Sequence, residues 1–159
     1  MKPGVTIRTQ RSVGLRLERV IRGWVARLIE ASPLRHRIHL NVVGAEVIDI
    51  RQPSMRQHGY EGLAFGGLIE PKHRRAPVSI YVATGIYHTM RRRYKLSRKQ
   101  AESGLLEILC HEWAHYEQHR DGRRIQERGV AVRARSLATA ILGVPSRKWI
   151  TIQLQGGSR

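Results

Sequence analysis

Residues 104–115 read Gly-Leu-Leu-Glu-Ile-Leu-Cys-His-Glu-Trp-Ala-His. Leu105 and Ile108 recur at helical spacing, which predicts that this stretch is an amphipathic helix rather than a loop. On such a helix His111 and His115 lie on one face, about 6 Å apart along the axis. Two imidazoles in that arrangement can hold one metal ion, so the stretch predicts both a helix and a metal site.

Glu112 follows the first histidine and is placed to reach a water molecule at that ion. Zn²⁺ held by two histidines and a third ligand lowers the pKa of its water toward neutrality, and a nearby carboxylate can then take the proton. The pentapeptide from His111 to His115 therefore predicts metal-dependent hydrolysis, with Glu112 as the catalytic base and Zn²⁺ as the default ion. Two histidines that bind no metal are the alternative interpretation.

Three downstream residues could complete the ligand set. His119 continues the same helical row, and three ligands in a line cannot surround a tetrahedral ion. Asp121 precedes Gly122, which is a helix-stop signal and favours a turn at this point. Glu127 falls in a second helix predicted over Ile125–Leu142, and an antiparallel helix pair brings residues on either side of the turn level with each other. Glu127 is therefore the preferred third ligand, and Asp121 and His119 are the alternatives.

With these residues the chain resembles the zincin metallopeptidases, and within them the small gluzincin-like members, over about residues 105–135. The resemblance implies that His111, His115 and Glu127 bind zinc. It implies for Glu112 the role of general base and then of proton donor to the leaving amine. It also implies an α+β catalytic domain in which a sheet borders a cleft above the motif helix.

The rest of the chain fits one α+β domain over residues 1–159, with a small mixed sheet of about three to five strands. Apolar periodicity and β-branched runs predict the following elements: an N-terminal helix at 12–31, strands within 37–50, 63–69 and 78–83, a short helix at 86–94, the motif helix at 98–119 with Ser97 as its N-cap, its antiparallel partner, and a strand at 149–154. Residues 52–61 are predicted to be a loop, and residues 1–11 and 155–159 to be flexible. The strand at 78–82 is expected to be the edge strand along which a peptide could bind.

The net charge of the chain is +17, with 24 Arg against 5 Lys. A field of this strength attracts polyanions, and the guanidinium group suits bidentate phosphate contacts. The cationic residues cluster within 72–75, 91–99 and 120–124, and Tyr94 in the second cluster could stack on a base. Nucleic acid or another polyanion is therefore an expected partner, and a merely solvated basic surface is the alternative.

The remaining composition points to a cytoplasmic protein without a membrane partner. Cys110 is the only cysteine, so no disulfide can form within the chain. No apolar run approaches the roughly 18 residues that span a bilayer, and the first residues lack a secretory signal. We therefore expect a zinc metallopeptidase acting on peptide or protein substrates. A non-catalytic basic adaptor or nucleic-acid-binding protein and a metal-dependent hydrolase of a non-peptide substrate are the alternatives.

Overall fold

A computed structural model describes residues 2–49, 63–73 and 75–143, so the predictions for residues 52–61, 149–154 and 155–159 lie outside the described residues. Their elements are β1 (Val5–Thr9), a 3₁₀ turn (Arg11–Val13), α1 (Leu15–Ala31), β2 (Ile38–Val43), β3 (Ile48–Asp49), β4 (Leu63–Ala64), β5 (Gly66–Ile69), β6 (Val78–Ala83), α2 (Gly85–Arg92), α3 (Arg98–Arg120) and α4 (Val130–Leu142). The predicted α+β class is confirmed.

The main sheet has four strands in the order β1-β2-β6-β5. Strands β1, β2 and β6 are parallel to one another, and β5 runs antiparallel to β6. The short strands β3 and β4 pair with each other as a separate antiparallel ladder. The sheet is therefore mixed, as predicted.

The prediction that residues 78–82 form the edge strand is wrong. Ile80 of β6 pairs with Leu40 of β2 on one side and with Leu68 of β5 on the other, so β6 is an inner strand. The chain segment before β6 turns back and pairs along its outer side. A short apolar run shows that a strand forms but not which strand it pairs with. At this end of the described sheet, β5 is the edge strand.

Two element starts also differ from the predictions. The segment predicted to be flexible at residues 1–11 contains β1, which pairs in register with β2 from Val5 to Thr9. The strand is five residues long with alternating exposure, and such a short pattern does not by itself establish that it joins the sheet. Helix α1 begins at Leu15 instead of Ser12, after the 3₁₀ turn.

Helix α3 carries the motif and matches its prediction at the N-terminus. The hydroxyl of Ser97 accepts a hydrogen bond from the backbone N–H of Gln100, and the Gln100 side chain accepts one from the N–H of Ser97. This capping box satisfies two donors that would otherwise lack partners at the helix start. The helix ends at Arg120, one residue beyond the predicted end, and the short helix α2 is also confirmed within two residues.

Helix α4 starts five residues later than predicted, at Val130 rather than Ile125. Gly129, the residue just before the helix, has a φ of 80°. This left-handed conformation lies outside the α-helical region, so the helix cannot extend back through Gly129, and glycine adopts it at little cost. Residues 125–129 therefore form an irregular connection between α3 and α4. Ile125 anchors this connection in the core, with 6% of its surface exposed.

Helix α3 lies at the centre of the core. It packs against α2, α4 and strands β5 and β6, and its interface with α4 is the most extensive of these. Trp113 and Tyr116 are completely buried, and the Tyr116 hydroxyl accepts hydrogen bonds from the backbone N–H groups of Arg35 and His36. None of the helices in the described ranges combines the length and the apolar composition needed to cross a bilayer.

An ion pair between a buried carboxylate on α3 and an exposed arginine on α4 joins the two helices. The carboxylate of Glu117, 4% exposed, accepts hydrogen bonds from Arg133 at 2.6 Å through each oxygen and from the Ser32 hydroxyl at 2.7 Å. Burial alone raises the pKa of Glu117, but the hydrogen bonds from Arg133 and Ser32 outweigh it and lower the pKa below its ordinary value. The pair therefore holds a charged group inside the helix interface.

We expect Arg133→Met to destabilise the fold by about 1–3 kcal/mol, because the buried Glu117 carboxylate is then left without its charged partner. The matched control is Arg135→Met on the same helix, whose guanidinium bonds only to the backbone oxygen of Ala131 among the described residues. Urea unfolding of both variants and the unsubstituted protein measures the difference. Equal destabilisation of the two variants would contradict the importance of the ion pair.

Candidate metal centre

The two histidines of the motif and one acidic side chain converge at the face of α3 that meets the α3–α4 connection. The imidazole rings of His111 and His115 have their centroids 4.9 Å apart. Nε2 of His111 lies 3.3 Å from Oε2 of Glu127, and Nε2 of His115 lies 3.1 Å from Oε1 of the same carboxylate. One ligand atom from each residue can be chosen so that all three lie within 4.8 Å of one another.

The cluster is buried on its helix side and open on the other. The side chain of His115 is 1% exposed, that of His111 30% and that of Glu127 53%. Solvent can therefore reach the cluster past Glu127. Catalytic zinc sites combine three protein ligands with one position left for water or substrate, and this gradient of exposure is suited to that arrangement.

These donors fit zinc. Two imidazole nitrogens and one carboxylate are a ligand set that catalytic zinc sites use, and both histidines present Nε2 to the same side. No other group of three or more His, Cys, Asp or Glu side chains in residues 2–49, 63–73 and 75–143 comes close enough to hold an ion. The donor chemistry of the cluster therefore matches the ion expected from the sequence.

Glu112 lies beside the cluster in an enclosed position. It is 3% exposed, and within the described part of the chain its Oε2 atom has no hydrogen-bond partner. Burial raises the pKa of this carboxyl to about 7, although the neighbouring His111 and His115 act to lower it. A buried carboxylate oxygen without a protein partner is unusual, and such atoms are found where a site binds or transfers a proton.

Strand β5 closes the space next to Glu112. A Cβ atom on Gly66 would come within 2.9 Å of both Cγ and Oε1 of Glu112 and within 3.0 Å of a methyl carbon of Ile108. Only glycine lets the strand approach this closely without displacing the carboxylate. Just beyond the other end of β5, Glu70 lies 2.9 Å from Nδ1 of His119. The edge strand therefore runs beside α3 from Glu112 to His119.

The two alternative ligands lie outside the cluster. His119 contacts Glu70 and the ring of His36, whose centroid is 5.1 Å away. Asp121 caps the C-terminus of α3, and its carboxylate accepts hydrogen bonds from Arg120 at 2.8 Å and Arg123 at 3.3 Å. Hydrogen bonding from Arg120 lowers the pKa of Asp121, as expected for a paired surface carboxylate. The structure thus brings together His111, His115 and Glu127 and leaves the alternatives apart.

Glu127 reaches the histidines by a different route from the one the sequence suggested. It belongs to the irregular connection rather than to a helix, since α4 begins only at Val130. Gln118, which was not predicted to belong to the site, holds this connection: its side chain bonds to the backbone of Gln126 and to His115. The sequence could have indicated this role of Gln118, because it lies about one helical turn after His115 and therefore on the same face of the helix.

No protein-family model matches this chain, and no curated protein matches its sequence. The functional interpretation therefore depends on the geometry of the cluster and on the chemistry of its donors.

We expect the purified protein to bind one zinc ion. His115→Ala or Glu127→Ala should weaken zinc binding by more than about 10–100-fold, which is the loss caused by removing a group that only hydrogen-bonds to a ligand. Each substitution removes one of the three side-chain donors that converge in the described part of the chain. Competition with a chromophoric chelator measures the affinity. His119→Ala and Asp121→Ala are the matched controls and should bind zinc normally; weakened binding in Asp121→Ala but not in Glu127→Ala would reassign the third ligand.

Proposed function

We propose that this protein is a zinc-dependent metallopeptidase, in which His111, His115 and Glu127 hold the ion and Glu112 is the general base. One observation carries the proposal: three suitable donors converge beside a buried carboxylate whose Oε2 atom has no described partner. A buried carboxylate oxygen without a partner costs folding free energy, and a carboxylate that accepts a proton from water needs an oxygen that no protein donor occupies.

Zinc bound at these ligands would supply an acidified water and a positive charge that polarises the substrate carbonyl. Glu112 accepts the proton of the attacking water and then delivers it to the nitrogen of the leaving amine, so that the peptide C–N bond can break. When no ion is bound, burial raises the pKa of Glu112 to about 7. A cation at the adjacent ligands would lower that pKa.

A peptide is the substrate class that the neighbouring strand favours. An extended chain can add to the edge of a sheet through backbone hydrogen bonds, whatever its side chains. Strand β5 is one of the two edge strands of the described sheet, and its first residue, Gly66, lies against Glu112. A peptide paired along β5 would have its backbone held beside the carboxylate that transfers the proton. This placement favours peptide hydrolysis over hydrolysis of a small non-peptide substrate.

We expect Glu112→Gln to retain zinc and to lower peptide hydrolysis by about 10²–10⁴-fold, because the amide cannot accept the proton from water. The matched control is Glu107→Gln, an earlier position on the same helix that lies outside the cluster, and it should retain activity. Mass spectrometry of a diverse peptide pool, incubated with each zinc-loaded protein, measures cleavage.

Two outcomes would contradict the assignment. A zinc-loaded protein that cleaves no peptide in the pool would favour a metal-dependent hydrolase of another substrate. Cleavage that is equal in the unsubstituted protein and in Glu112→Gln would show that this carboxylate is not the base.

A second candidate function is nucleic-acid binding, for which a specific surface can be named. The cationic turn is the segment 91–99 that links α2 to α3, and it contains no acidic residue. Its cationic side chains are all exposed: Arg91, Arg92, Arg93, Lys95, Arg98 and Lys99. The guanidinium of Arg93 lies over the ring of Tyr94, 5.8 Å from its centroid. Exposed arginines beside an aromatic ring are suited to contact with phosphates and bases.

We expect a triple variant, Arg91→Gln with Arg92→Gln and Arg93→Gln, to bind duplex DNA more weakly and with a smaller dependence on salt. Every arginine–phosphate ion pair that the substitutions remove should reduce the slope of log K against log salt by about 0.9. Fluorescence anisotropy at several salt concentrations measures this slope. The matched control changes the charge equally at three exposed arginines elsewhere, Arg8, Arg11 and Arg19. Equal reductions in the two triple variants would indicate a general charge effect and no binding at the cationic turn.

A further inference from the structure

The side chain of Gln118 forms three contacts at the base of the candidate metal centre. Its Oε1 atom lies 3.2 Å from Nδ1 of His115 and accepts a hydrogen bond from the backbone N–H of Gln126 at 3.0 Å. Its Nε2 atom donates to the backbone oxygen of Gln126 at 2.9 Å. Gln118 is 7% exposed, so these contacts are shielded from water.

The backbone of Gln126 determines which way the amide of Gln118 points. An N–H group can only donate and a backbone oxygen can only accept, so Oε1 must face the Gln126 nitrogen and Nε2 must face the Gln126 oxygen. The reverse orientation would place donor against donor and acceptor against acceptor. The position of the amide oxygen therefore follows from the two hydrogen bonds to the backbone of Gln126.

This orientation determines the hydrogen on the His115 ring. Because the amide oxygen faces Nδ1, that nitrogen must carry its hydrogen to form the contact. Nε2, which lies 3.1 Å from the Glu127 carboxylate, donates a hydrogen to that oxygen when no ion is bound, and a metal ion at Nε2 would replace this hydrogen while Nδ1 keeps its own. Histidine ligands generally have their second nitrogen held by an outer-shell acceptor, which fixes the tautomer and the ring orientation.

The same side chain also positions the third ligand. Gln126 immediately precedes Glu127 in a connection that is not helical. The pair of hydrogen bonds from Gln118 joins this connection to α3, and the buried Ile125 anchors it from the other side. One side chain on α3 thus contacts a ligand on its own helix and the backbone next to the ligand from the connection.

We propose that Gln118 is a positioning residue for the metal centre, which keeps the hydrogen of His115 on Nδ1 and holds the Glu127 segment against α3. The proposal rests on the proposed zinc site. The role also accounts for a glutamine at this position, because its side chain is long enough to reach the backbone of Gln126 while α3 continues to Arg120.

The test compares zinc affinity in Gln118→Leu, Gln118→Asn and Gln126→Ala. Gln118→Leu removes all three contacts, and we expect zinc binding about 10–100-fold weaker. Gln118→Asn keeps a polar amide but shortens the side chain by one methylene, so it cannot make the same contacts and should also weaken binding. Gln126→Ala is the matched control: it keeps both backbone groups and changes only an exposed side chain, so the affinity should not change.

A second measurement separates positioning from a purely structural role. In the zinc-loaded protein, NMR should detect the Nδ1–H proton of His115 as protected from exchange with solvent, and Gln118→Leu should remove that protection. A structural contribution alone would lower the unfolding midpoint and leave the ring proton protected. If Gln118→Leu does not fold, Gln118→Asn supplies both the affinity and the exchange comparison.

The outcomes distinguish this role from the proposed function. Zinc binding that is as tight in Gln118→Leu or Gln118→Asn as in the unsubstituted protein would overturn the role of Gln118 and leave the metal centre in place. An unsubstituted protein that binds no zinc would overturn the metal centre and this role with it.

Discussion

The enclosure of helix α3 is the constraint on which the rest of the structure depends. Two large aromatic side chains, Trp113 and Tyr116, are fully buried on it, and strands β5 and β6, α2 and α4 cover its other sides. Burial of this extent stabilises the fold and also holds the motif residues in one orientation, because a packed helix cannot rotate without opening the core. The spacing of His111 and His115 puts them on one face of the helix, and the packing of α3 holds that face in one direction.

The enclosure also brings polar side chains into the interior, and each must find partners. Glu117 does so through Arg133 and Ser32, and His115 through Gln118 and Glu127. Glu112 differs from these, since its Oε2 atom has no hydrogen-bond partner among the described residues. The carboxyl of Glu112 is close enough to His111, His115 and Glu127 for their charges to shift its pKa, and the proposed mechanism needs a proton acceptor at this place.

The candidate site is assembled from three elements, α3 and two segments that meet around it. Strand β5 approaches Glu112 through Gly66, and the α3–α4 connection supplies Glu127. The connection has no regular secondary structure at residues 125–129, but Gln118 joins its backbone to the helix by two hydrogen bonds. A ligand on an irregular segment can therefore be held as firmly as one on a helix, provided that buried groups fix the backbone next to it.

The sequence by itself determined the local features: the capped motif helix, the strand at Val78–Ala83, and the spacing that puts His111 and His115 on one face of the helix with Glu112 beside them. These follow from capping, alternation and helical period, which act over a few residues. Only the tertiary structure decided that β6 is an inner strand, that β1 joins the sheet, and that Glu127 lies in a connection tied down by Gln118. The physical reason is that strand pairing and contacts between distant side chains depend on which surfaces meet in the folded chain, and no local pattern encodes that choice.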